Sequence, residues 1–124
     1  MESKLAKISR YLLGLMLLLF GLNKFLHFIP TPPMEGGSLD FMTALMGTGY
    51  MLPLIAVVEI VVGILLVLNR FVPLALVLMA PVSLNIIMFH LFLDPASIAG
   101  GALVTLLNLY LLIAHKAKYN SMLK

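Results

Sequence analysis

Cysteine is missing from all 124 residues, and so is tryptophan. Without a thiol the chain can form no disulfide, run no thiol relay, and hold no thiolate metal site or iron–sulfur cluster. Charge is scarce too. Only 10% of the residues are charged, against roughly 25% in ordinary globular domains. Hydrophobic residues make up 62% and mean hydropathy is +1.12, a composition whose solvent is lipid. The length allows one membrane domain, residues 1–124, and no separate soluble catalytic module. The net charge of +3 and pI near 9.4 do not point to nucleic acid, because the basic residues flank apolar runs and form no patch. No nucleotide loop, metalloprotease signature or serine triad occurs, and no metal site is expected.

What is present is four apolar runs, at about 8–29, 50–68, 71–93 and 96–115. Each is near the ~20 residues a helix needs to cross hydrocarbon. They predict an all-α integral membrane four-helix bundle. Only Asn69-Arg70 separates the second run from the third, so these neighbours must be antiparallel. Asp94-Pro95 joins the third to the fourth, with Asp94 expected to cap the last helix and Pro95 in its first turn. Pro81 interrupts the third helix and leaves the Val77 carbonyl short of a donor.

Lys4, Lys7, Arg10, Arg70, Lys116 and Lys118 all fall on one side of this threading, whereas Glu35, Asp40 and Asp94 fall on the other. That asymmetry places both termini in the cytoplasm. The basic start and Tyr11–Leu22 also suit a cleaved signal peptide. The bulky Asn23-Lys24-Phe25-Leu26-His27-Phe28, with no small-residue cleavage site, favours a retained span. The external loop, 30–49, opens on the stiff Thr31-Pro32-Pro33. Ser38 is expected to cap a short interfacial helix, Leu39–Met46, ending at Gly47. Its Phe41, Leu45 and Met46 would lie on the membrane surface or, in the alternative reading, form a lid over the bundle mouth.

Two charges stand inside the spans: Lys24 in the first and Glu59 in the second. A charge at hydrocarbon depth costs roughly 2.5–3.5 kcal/mol on insertion scales, so it faces the bundle interior and finds a partner. At 1.5 Å per residue, Lys24 lies ~21 Å from Arg10 and Glu59 ~16 Å from Arg70. A lysine stem spans the remaining ~5 Å in depth. On helical wheels Phe20, Asn23, Lys24 and His27 share a stripe, as do Ala56, Glu59 and Gly63. Gly101, Thr105, Asn108 and His115 align in the fourth span, and Ser83 with His90 in the third, while Asn85 points elsewhere. Lys24, Glu59, Asn23, Asn85, His27, His90, Asn108 and Thr105 are therefore the candidate site, a polar pocket in the outer half of the bundle. The competing reading is structural glue that fixes helix register. His27 and His90 raise haem as a cofactor, but histidines near helix ends are more often interfacial hydrogen-bonders.

Arg10-Tyr11-Leu12-Leu13-Gly14, Phe20-Gly21-Leu22-Asn23-Lys24-Phe25, Glu59-Ile60-Val61-Val62-Gly63 and Asn69-Arg70-Phe71 follow one another along the chain. In that order they resemble the DoxX family of small membrane proteins. A narrower bacterial subgroup is suggested by His27-Phe28-Ile29-Pro30, Thr48-Gly49-Tyr50 and Phe89-His90-Leu91-Phe92-Leu93-Asp94-Pro95. The resemblance implies a four-helix bundle of the bacterial cytoplasmic (inner) membrane with a quinone-linked redox association. It carries over no catalytic residue set. Related bundles that handle disulfides or vitamin K quinones use cysteine pairs, which this chain lacks.

Three function classes follow, and whether the protein is an enzyme stays open. The first is an accessory component of a membrane redox system that binds a lipophilic ligand such as a quinone. The second is an assembly factor or subunit that docks a larger membrane complex, alone or as a homo-oligomer. The third, small-molecule transport, is weaker, because four spans without repeats are few for an alternating-access carrier.

Overall fold

The computed structural model describes residues 2–29 and 33–122. The expected stiffness of Thr31-Pro32 lies outside the described residues. Five α-helices follow in order: α1 (Lys4–Leu26), α2 (Gly37–Gly47), α3 (Met51–Leu68), α4 (Val72–Leu93) and α5 (Ile98–Ala114). Short 3-10 helices, Pro95–Ser97 and Lys116–Met122, precede and follow α5. No strand occurs among the described residues. The four long helices are apolar enough to cross a membrane. This is an all-α membrane bundle.

Local chemistry sets the helix ends. α1 begins four residues earlier than its hydropathy suggests because the Ser3 hydroxyl accepts from the Ala6 amide, an N-cap bond. It ends three residues early, at a left-handed His27, and the Asn23 side chain takes the Ile29 amide. Asn69 ends α3 in the same left-handed conformation, and the Arg70 amide reaches back to the Leu65 carbonyl, closing a Schellman-type cap. Phe71 also has positive φ, so the turn is three residues long rather than two. Two expected caps do not form. Ser38 lies inside α2, donating to the Glu35 carbonyl, and Gly36 takes the cap position with φ of 66°, a conformation glycine adopts without strain. The Asp94 side chain caps nothing; its backbone carbonyl instead accepts from Ser97, and Pro95 opens a 3-10 turn before α5.

The helices pack in a ring, α1 against α3, α3 against α4, α4 against α5 and α5 against α1. Contacts run in opposite senses along each of two pairs. Arg10 reaches Leu66 while Gly21 meets Ala56 across α1 and α3; Asn108 reaches Leu76 while Gly101 meets His90 across α4 and α5. Both pairs are thus antiparallel. Glycine sets the α1–α3 spacing: a Cβ on Gly63 would stand 2.8 Å from the Gly14 carbonyl oxygen. Such close approach replaces the hydrophobic drive that lipid cannot supply.

The dry core lies toward the Asn69–Phe71 turn, where Leu13, Leu17, Val62, Leu66, Leu76, Met79 and Leu111 are fully buried. Arg10 is buried there too, donating to Glu2 at 2.9 Å and to the Leu66 carbonyl, with its guanidinium 4.4 Å from the Tyr11 ring centre. Last-turn carbonyls lack intrahelical donors, which is why an arginine fits at the end of α3. The C-terminal 3-10 helix, which hydropathy does not signal, is tied to the same end by the Tyr119 hydroxyl donating to the Pro73 carbonyl at 2.8 Å.

Candidate functional site

Away from that dry core the helices line a half-open cavity of about 670 Å³. α3 contributes Ile55, Val58 and Glu59, α4 contributes Val82, Asn85, Ile86, Phe89 and His90, and α5 contributes Gly100, Gly101 and Val104. Phe20 and Lys24 come from α1. α2 supplies Phe41, Met42 and Leu45. It therefore does more than connect two spans, because it forms a wall of the cavity and packs against α3 and α4. Met46 lies outside this lining and is exposed, whereas Met42 lines the cavity.

The polar feature of this space is the ion pair. Lys24 Nζ donates to Glu59 Oε1 at 2.6 Å. The two ends differ in depth: the Glu59 side chain is 2% exposed, that of Lys24 27%. Gly21 makes the approach, since a Cβ there would stand 3.2 Å from Glu59 Cβ and 3.0 Å from the Ala56 carbonyl oxygen. An ammonium has three N–H groups and a carboxylate two oxygens, so the pair keeps donor and acceptor capacity for a ligand. Because it is internally neutral, it suits an uncharged polar group better than an anion.

His90 lines the cavity on the far wall. Its Nδ1 lies 3.3 Å from the Asp94 carbonyl, and its ring packs so closely on Gly101 that a Cβ there would be 2.5 Å from Cδ2. Asn85, which the wheel points elsewhere, also lines the cavity, with its amide donating to the Pro81 carbonyl at 2.9 Å.

The remaining candidates do other work. Asn23 holds the chain beyond α1, and His27 is an exposed helix terminus outside the cavity, so the two histidines do not face one another across it. Asn108 and Thr105 join α5 to α4 through the Leu76 and Ser83 carbonyls, at 3.2 Å each. Among the described residues no group of three His, Asp or Glu could hold a metal ion.

A family model described as DoxX matches residues 5–91. The chain belongs to the DoxX family. No curated protein and no solved structure matches it. The DoxX match takes in Lys24, Glu59, Asn85 and His90 but stops within α4. The α5 wall, Gly100, Gly101 and Val104, lies beyond it. Sequence reasoning missed most of the apolar lining of this DoxX pocket. In a span that is apolar all round, nothing marks Ile55, Val58 or Ile86 as facing a cavity rather than lipid.

Proposed function

We propose that this DoxX-family membrane protein binds a neutral lipophilic ligand of the quinone class, as an accessory component of a membrane redox system. The observation that carries the reading is one apolar cavity with a single neutral ion pair in its wall. Its volume falls in the ~300–1,000 Å³ range of small-molecule sites, and a few convergent polar groups in an apolar lining are their usual chemistry. Lys24 would donate to a ring carbonyl oxygen. Glu59 would hold the lysine in place and accept from a ring hydroxyl in the reduced form. Asn85 and His90 would set the orientation of the ring from the α4 side. The asymmetry of Lys and Arg among the loops supports both termini in the cytoplasm of a bacterial cell and the site toward the outer half of the bilayer.

Protein purified in mild detergent should retain a quinone or similar lipid in stoichiometric amount, identified by mass spectrometry of its organic extract, and Lys24→Met should release it. Protein that purifies with an empty pocket and takes up no added quinone would overturn the reading. If such protein instead holds a stable membrane partner, the docking role takes its place.

A further inference from the structure

The ligand cavity has a neighbour. A second space of about 230 Å³ lies along α4, lined by Phe41, Asn85, Met88, Phe89, Phe92 and Leu93. Phe41, Asn85 and Phe89 line both spaces. Phe41 and Phe89 touch, their ring centres 5.4 Å apart and tilted by 40°. An aromatic pair and one amide side chain therefore form the partition between inner and outer space.

The outer space belongs to the lipid-facing side of the bundle. Phe92 is 74% exposed and Met88 is exposed beside it, both on a helix that crosses the membrane. The α2 half of the partition is little buried. Ser38 is the one buried residue of α2, and left-handed glycines, Gly36 and Gly49, stand at its two ends. Few terminal residues that absorb a backbone change are what a hinged segment needs. Ring packing alone, with no hydrogen bond, holds Phe41 against Phe89.

We propose that the outer space is the tail subsite of the ligand site. The polar head sits at Lys24–Glu59, and a single alkyl or prenyl tail leaves past Phe41 and Phe89, along Met88 and Phe92, into the bilayer. This rests on the ligand-binding reading above and adds the class of ligand, a neutral head on one apolar tail that arrives from the membrane rather than from water. An apolar tail gains nothing by folding up inside the bundle, since lipid is as good a solvent for it as leucine. It needs a dry route out, and the outer space shares a wall with the cavity on the lipid-facing side of α4.

The test uses the full chain in lipid nanodiscs and a benzoquinone whose short alkyl tail ends in a diazirine. After irradiation, adducts mapped by mass spectrometry should concentrate on Phe41, Met88 and Phe92. The tail-less ring, at about ten times its own Kd, should lower them about tenfold. Adducts spread over the lipid faces of α1 and α5, or adducts at Met88 and Phe92 indifferent to the tail-less ring, would overturn the proposal. Binding of the tail-less ring, followed by equilibrium dialysis, separates the two readings. If the ring binds and the adducts are scattered, the tail subsite alone is wrong; if the ring does not bind, the head site is wrong and the subsite falls with it.

Discussion

Removing Lys24 should harm this protein more than removing Glu59, and the reason is the unequal depth of the two groups. Glu59 is 2% exposed and Lys24 27%, and Lys24 stands two residues from the end of α1. With Lys24→Met the carboxylate is stranded, and an unpaired buried charge costs about 3–5 kcal/mol. The loss has a ceiling, because the carboxyl can take up a proton instead. From an ordinary glutamate value near 4.3, protonation at about pH 7 costs close to 4 kcal/mol at ~1.36 kcal/mol per unit. The expected loss is thus about 3–4 kcal/mol. Glu59→Gln leaves an ammonium whose stem can carry it toward the helix end, so mainly one charged hydrogen bond is lost, about 1.5–2 kcal/mol.

The double variant leaves no charge to desolvate and should fall within about 1 kcal/mol of the parent. Reversible unfolding in mixed micelles of increasing SDS fraction measures all four proteins. Equal losses for the two single variants, or a double variant that loses their sum, would refute the reasoning. Either result would mean that the pair is not isolated from water as its burial indicates.

Other consequences follow from particular contacts. Gly63→Ala should destabilise by about 1–3 kcal/mol in the same assay, because its Cβ would meet the Gly14 carbonyl and the Leu18 backbone, neither of which is a flexible side-chain end. Asn108→Ala and Thr105→Val should each cost only about 0.6 kcal/mol, the average for polar contacts between membrane helices, and leave ligand retention by mass spectrometry unchanged. Tyr119→Phe should cost about 1 kcal/mol through the lost bond to the Pro73 carbonyl. Burial raises the Tyr119 phenol above its usual value of 10.0. The neutral form is thus favoured in the folded protein: its contribution is complete below about pH 10 and fades only as pH rises through the raised value. Unfolding of parent and Tyr119→Phe protein should therefore differ by the same amount at every pH below that range.

Cavity and ion pair differ in how far they can be read from the chain. Lys24 and Glu59 announce each other because opposite charges in hydrocarbon have few other partners, and the rise per residue puts them within a side-chain length. Phe41 and Leu45 were visible as one face of a short helix, yet the choice between membrane surface and cavity wall was not. That choice depends on α2 packing against both α3 and α4. Arg10 reads as a boundary charge in the sequence, and its burial goes with a bond to the Leu66 carbonyl at the end of a helix more than fifty positions away.

By itself the sequence determined the number of spans, their antiparallel order and the presence of two charges that cannot face lipid, because each depends on local hydropathy, loop length or the cost of desolvation. Only the tertiary structure decided which polar groups share a space. A helical wheel gives directions about its own axis alone. Packing at Gly14, Gly21 and Gly63 sets how α1 and α3 turn toward each other, and it turns Lys24 and Glu59 into one cavity with Asn85 and His90. The same packing leaves Asn23 and His27 at a helix end and Thr105 and Asn108 in the seam between α4 and α5.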